Sequence, residues 1–209
     1  MAENYKTVAE AATASFIEKK SEFIGYISPC KTEEDAIAFI QEIRRQHRRA
    51  THNCYAYILR DNNIARHSDD GEPGGTAGAP IYEVLKKEGL TDVCCVVTRY
   101  FGGIMLGAGG LVRAYTNGAK IAVEAAQIKE MHMAQRLRLT LDYSLYGKIG
   151  AAFSEFDVRV SSEDFAAEVT VTLYVEAEKN GEFSARLTDI CCGKINIEEL
   201  GAEEYDFGK

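Results

Sequence analysis

Three groups of residues have types and spacings that suit chemistry. The first is rich in glycine: residues 71–110 hold ten of the chain's 18 glycines. Its second half, Arg99-Tyr100-Phe101-Gly102-Gly103-Ile104-Met105-Leu106-Gly107-Ala108-Gly109-Gly110, separates a continuous apolar run, Val93–Val97, from an Ala-rich segment that reads as a helix from about Leu111 to Ala126. Amides at Gly102, Gly103, Gly109 and Gly110, together with the positive end of that helix, would suit a phosphate. Arg99 at the strand end and Arg113 in the first helical turn are expected to flank it. The spacing is neither that of a P-loop nor an ordered G-x-G-x-x-G. Tight turns and close helix–sheet packing would explain the same glycines.

The second group is acidic. Asp69, Asp70 and Glu72 lie within four residues of Ser68-Asp69-Asp70-Gly71-Glu72 and follow His67. Carboxylates so placed can hold Mg²⁺ or exchange protons, but the loop lacks the ligand count of an EF-hand. A solvated turn ordered by nearby arginines is the expected reading, with no metal. No Ser or Cys has a His and an acid arranged around it, so no catalytic residue is nominated. The third group is basic: Arg44, Arg45, Arg48 and Arg49 at i, i+4 spacing, joined by His47, His52 and Lys19-Lys20. These could contact a phosphate backbone or an acidic protein. A solvated helix end that suits its own dipole is the alternative. His52 and His67 taken alone read as hydrogen-bonded structural residues.

The elements that must position these groups can be read from pattern. Tyr5 to Pro29 favours strands. Thr32-Glu33-Glu34-Asp35 opens a helix with a capping box and three acids at its positive end; Ala36, Ile37, Phe39, Ile40 and Ile43 form its apolar stripe, and Arg44–Arg49 its last turns. A strand over 53–60 pairs with a short one over 64–67. Pro80 to Glu88 reads as a helix stopped by Gly89. Beyond Met131–Gln135, the expected junction, the order becomes β-α-β-β-α-β: strand 136–142, helix 143–155, strands 157–161 and 166–175, helix 181–191 and strand 195–205. That is the split arrangement of a ferredoxin-like domain. The expected domains are therefore 1–134 and 135–209, in an α+β chain.

Composition bounds the function. At 46% hydrophobic and 27% charged residues the chain is an ordinary globular one. No run approaches a membrane span, and Met1–Glu10 lacks the order of a signal peptide. A net charge of −8 argues against a protein that coats nucleic acid with its whole surface. The charge is unequally shared: residues 1–134 carry 16 basic against 17 acidic residues, and residues 135–209 carry 8 against 15. Six cysteines without C-x-x-C or zinc spacing read as reduced thiols of a reducing cytoplasm.

Ser68–Pro73, Gly75–Gly78, Arg99–Gly103 and Leu106–Tyr115, with Thr51–Tyr57, strongly resemble the IMPACT/YigZ family. These motifs span about Lys19 to Lys120, and the C-terminal third resembles the smaller second domain of bacterial members. The resemblance implies a ribosomal-protein-like α/β N-terminal domain, similar to domain IV of elongation factor G, and a second domain similar to domain V of that factor. It implies a link to translation, which eukaryotic relatives exert through protein partners. Met105 stands where a Lys is expected in many relatives, which removes one phosphate contact. The expectation is a non-enzymatic protein, without cofactor, that binds RNA or the ribosome. A protein-interaction regulator is the first alternative, and an enzyme acting on a phosphorylated small molecule the second.

Overall fold

The computed structural model describes residues 4–208. Contacts divide the chain into two units, Tyr5–Lys129 and Glu130–Lys209, and each is described by itself. In the first unit, β1 (Tyr5–Val8) precedes the hairpin β2 (Ala12–Glu18) and β3 (Ser21–Pro29). Next come α1 (Glu33–Gln46), β4 (His52–Leu59), β5 (Ile64–Ser68), α2 (Gly78–Lys87), β6 (Val93–Tyr100) and α3 (Ala108–Ala125). The sheet order is β2-β3-β6-β4-β5, antiparallel throughout.

Both faces of this sheet are covered, which explains the unbroken apolar run of β6. On one face α1 brings Ala36, Ile40 and Ile43 against Tyr57, Leu59, Cys94 and Val96. On the other, α2 and α3 bring Ile81, Leu85, Leu111, Tyr115 and Ala119 against Phe23, Ile27, Cys54, Cys95 and Val97. The α3 contact depends on two glycines. A Cβ on Gly25 of β3 would overlap the Gly118 carbonyl oxygen, and one on Gly118 would stand 2.7 Å from Val97 Cγ1. Backbone therefore meets backbone, which sets the height of α3 over the sheet.

The capping box at Thr32 and Asp35 forms as expected. The basic helix ends earlier than its pattern suggested. α1 stops at Gln46, and Arg48 and Arg49 lie in the turn that follows. The stop is His47, the C-cap residue, whose ring is held between the hydroxyls of Tyr26 (2.5 Å) and Tyr100 (2.9 Å). Two buried-edge hydrogen bonds outweigh the propensity of the following arginines to continue the helix.

The second unit takes all but the first two residues of β7 (Ile128–Leu141), then α4 (Tyr143–Glu155), β8 (Arg159–Phe165), β9 (Val169–Glu176), α5 (Asn180–Ile190) and β10 (Ile195–Asp206). Its antiparallel order β10-β7-β9-β8 is that of a ferredoxin-like sheet. Leu137, Leu139, Leu141, Val169, Val171 and Leu173 pack against Ile149, Phe183 and Leu187 of the helices. Met131–Gln135 do not form a linker. They lie inside β7 and pair with Asp206–Ala202 of β10, because the alternating register of the strand continues through them. No helix among the described residues is long and apolar enough to cross a membrane.

Two outcomes follow. Gly25→Ala should lower stability by more than the roughly 1–3 kcal/mol usual for an overpacked core, because its methyl meets carbonyl backbone; urea denaturation measures it. A fragment over 130–209 should unfold cooperatively, whereas one starting at 136 loses the Met131–Gln135 pairing and should melt lower in a calorimeter.

Candidate functional site

The ends of β6 and β4 bring the site together. His52 opens β4 directly opposite Arg99 on β6. The loop after β5 carries Asp69, Asp70 and Glu72 over them, and the segment after β6 leads to the start of α3. The two glycine-rich loops thus meet in one cleft of about 330 Å³, lined by His52, Glu72, Arg99, Phe101, Met105 and Leu111 among others.

Its floor is a buried charged network. Arg99 Nη1 donates to Glu72 Oε1 over 2.6 Å, with both side chains almost wholly buried. The Tyr115 hydroxyl donates to the same oxygen over 2.8 Å. Burial, with Cys54 and Glu72 beside it, raises the Tyr115 phenol, so it remains a donor. The Arg99 guanidinium lies over the rings of Phe23 and of Phe101, 5.5 and 5.4 Å from their centroids. His52 Nδ1 lies 2.7 Å from the Asp70 carbonyl, which can only accept, so Nδ1 carries the hydrogen and Nε2 faces Glu72 Oε2 at 3.9 Å. Cys54 donates to the Asp69 carbonyl, and burial pushes its thiol up to about 12. It is a protonated structural thiol rather than a nucleophile.

The acids have separate tasks. Asp69 accepts from the amides of Gly75, Ala77 and Gly78 and so closes the loop onto the start of α2. Burial acts to raise its carboxyl, but those three amides outweigh burial and hold it below the ordinary range. Asp70 accepts from the Asn53 amide and from Arg44. Only Glu72 faces the cleft. Among the described residues no group of three or more His, Cys, Asp and Glu is placed to hold a metal ion.

The basic residues divide likewise. Arg44 is paired with Asp70, and Arg45 with Glu42, whose carboxyl its hydrogen bonds pull down to about 2. Among the described residues none forms an ion pair with Lys19, Lys20, Arg48, Arg49 or Arg113, and all five are exposed. Arg99 and Arg113 do not flank one pocket. Arg113 lines a neighbouring hollow with Phe16, Glu18, Lys19 and Gly110, because its position on α3 turns it away from the buried face that carries Leu111 and Tyr115.

The glycines divide too. Gly102 is not an open anion donor: a Cβ there would overlap the Lys20 carbonyl, and its amide already donates to Ser21 Oγ. Gly103 has a positive φ of 85° and open space around its Cβ position. Gly109 and Gly110 form the first turn of α3, and a Gly110 Cβ would press on Leu106. Pattern reading did not single out Tyr115 or Phe101. The signals were a polar tip one turn along the buried stripe of Leu111, and apolar residues inside a loop otherwise made of glycine.

The Impact N-terminal domain family matches residues 19–123, and a domain of unknown function, DUF1949, matches residues 139–194. The chain is 42% identical over 200 residues to the IMPACT family member YvyE of Bacillus subtilis, covering 95% of this chain and 92% of that one. It is 35% identical to the IMPACT family member YigZ of Escherichia coli, covering 93% and 97%. A solved structure titled as that of a hypothetical protein aligns with a TM-score of 0.61 at 32% identity, covering 96% of this chain and 99% of that one.

Glu72→Gln leaves Arg99 buried without a counter-charge and should cost about 3–5 kcal/mol; Glu72→Leu combined with Arg99→Met should restore most of it in denaturant titrations. Asp69 has a depressed carboxyl in the folded state, so its contribution is present above about pH 4 and lost as the pH falls through its folded value. The stability gap between the wild type and Asp69→Asn should therefore narrow in acid melts.

Proposed function

The chain belongs to the IMPACT family, and we propose that it binds single-stranded RNA through the end of its first sheet where β3 begins and β6 ends. The carrying observation is that three separate turns place unpaired cations at that one end. The β2–β3 turn supplies Lys19 and Lys20, the α1–β4 turn supplies Arg48 and Arg49, and the start of α3 supplies Arg113. The turns are tied together: Gly102 packs on Lys20, and Thr51, two residues past Arg49, accepts from the Phe101 amide and donates its own amide to the Arg99 carbonyl. Phe101, 48% exposed, stands among them. Cations that follow a backbone around an exposed ring are the arrangement by which proteins hold single strands without reading sequence.

The lysines support this reading through their backbone. Lys19 and Lys20 have φ of 45° and 65° in a two-residue hairpin turn. Such turns favour Asn and Gly, and a side chain with a Cβ costs about 1–2 kcal/mol per residue there. Two lysines held against that cost are explained by a task at the tip. Residues 135–209, with 8 basic against 15 acidic residues, are net acidic, which favours the first unit for the contact. A protein partner with an acidic face is the alternative reading, and the titration below separates the two.

Binding of a short unstructured RNA, measured by anisotropy at several salt concentrations, tests the reading. Changing Lys19, Arg48, Arg49 and Arg113 together to Gln should weaken binding across sequences. It should also flatten the log–log salt slope by about 0.7 for each phosphate that is no longer neutralised. Arg45→Gln should do far less, since Glu42 already occupies that guanidinium. An unchanged slope with an unchanged melting curve would move the assignment to a protein partner.

A further inference from the structure

The two sheets end in strand edges, and those of β5, β8 and β10 are guarded. β5 is five residues long and exposes Arg66 and His67. β8 carries Glu163 and Asp164 and breaks register between Val160 and Ser162. β10 carries Glu198, Glu199, Glu203 and Glu204 and breaks register between Glu199 and Gly201. Charge, shortness and bulges are the means by which proteins keep an open edge from pairing with another chain. β2 uses none of them. It runs seven residues in unbroken register with β3, and the stretch Ala11–Ile17 has neither charge nor proline. Among the described residues no strand pairs with its other side. Ile17 stands 74% exposed on it.

The hydrogen-bond parity of this edge follows from its turn. Lys19 and Lys20 close a two-residue hairpin, so Glu18 and Ser21 form a hydrogen-bonded pair. The alternation then commits Phe16, Ala14 and Ala12 to β3 as well. The amides and carbonyls of Thr13, Ser15 and Ile17 point away from β3, and all three residues are exposed.

We propose that β2 is the seam of a homodimer, pairing antiparallel with β2 of a second copy about a two-fold axis at Ser15. Ser15 then faces the partner's Ser15, and Thr13 faces the partner's Ile17. Every outward amide thereby meets an outward carbonyl. Phe16 faces the partner's Ala14, large against small. At both ends of the seam Lys20 comes opposite the partner's Glu10. An axis at Ala14 would set Glu10 against the partner's Glu18, and one at Phe16 would leave Lys20 opposite the partner's Ala12. Charge therefore selects Ser15. The two-fold consumes one edge from each copy, so association stops at the dimer. One strand from each copy buries less than the roughly 1,200 Å² of a standard interface, so the dimer builds up with concentration. It engages Lys20, leaves Lys19, Arg48, Arg49 and Arg113 exposed, and does not depend on the RNA-binding reading.

Sedimentation velocity of the full chain, from roughly micromolar to millimolar concentration, should show monomer passing to dimer. Amide exchange followed by NMR should slow at Thr13, Ser15 and Ile17 as concentration rises, while Ala12, Ala14 and Phe16 stay unchanged. Ser15→Lys sets a cation against its own copy at the axis and should abolish the dimer. Because Ser15 is exposed, the melting curve of that variant in dilute solution should match the wild type. Lys20→Glu alone and Glu10→Lys alone should each weaken association about tenfold, since each brings like charges together at both ends. An equimolar mixture of those two variants should recover it, because every end then joins opposite charges. A chain that stays monomeric throughout, with no slowing of the outward amides, overturns the proposal and leaves the edge to an extended segment of another protein. A dimer that Ser15→Lys leaves intact lies elsewhere and overturns it too. Loss of the dimer in Ser15→Lys without recovery on mixing overturns the register.

Discussion

A guanidinium taken out of water must find both a counter-charge and hydrogen bonds, and Arg99 finds them in Glu72. The pair is 2.6 Å long and nearly free of solvent, so separating it would strand two charges in a medium that cannot screen them. Much else is arranged around it. Tyr115 on α3 donates to the same carboxylate oxygen, and the rings of Phe23 and Phe101 border the guanidinium. Glu72 reaches the pair only because its loop is fastened: Asp69 gathers three amides, Asp70 holds β4 and α1, and His52 and Cys54 hold the turn through its carbonyls. A strand end, a helix and a loop distant in sequence are therefore locked to one ion pair.

The pair would have no partner from α3 if that helix rode higher on the sheet. The contact between Gly25 and Gly118 lowers it until Tyr115 reaches Glu72 and the first turn of α3 borders the cleft. The same economy of side chains recurs at Gly102, which lets the segment after β6 lie on the Lys20 carbonyl. Close backbone approach, rather than an open amide, is what that glycine supplies. Local packing and surface chemistry are thus linked, since the turn that Gly102 leans on is the one that displays Lys19 and Lys20.

Charge is managed differently at the two levels. Buried charge is matched, as at Arg99 with Glu72, and the buried Asp92 is met by the exposed Arg60. At the end of the sheet where β3 begins and β6 ends, Lys19, Lys20, Arg48, Arg49 and Arg113 stand exposed without ion-pair partners among the described residues. Matching inside serves stability, where an unpaired charge is prohibitive. Mismatch outside costs little in water and leaves those cations available to a partner.

Much of the architecture was legible from local signals. The capping box at Thr32, the helix stop at Gly89, the apolar run of β6 and the alternation of Leu137, Leu139 and Leu141 each follow from neighbours within a few residues. They led to the α+β class, to the order of elements and to the ferredoxin-like second unit. The motifs around Ser68–Gly78 and Arg99–Tyr115 were also enough to indicate the family. What they could not show was which of several arginines and acids would pair. Arg44, Arg45, Arg48 and Arg49 look alike in sequence, yet His47, clamped by two tyrosines from other strands, ends the helix between them, and Asp70 and Glu42 occupy the first two. Arg99 and Arg113 read as one anion clamp in sequence, but the faces of β6 and α3 send them to separate hollows. Sequence alone determined the elements, because helix caps, strand alternation and glycine turns act over a few residues. Only the tertiary structure decided the site, because ion pairing and close backbone contact depend on distances between segments far apart along the chain.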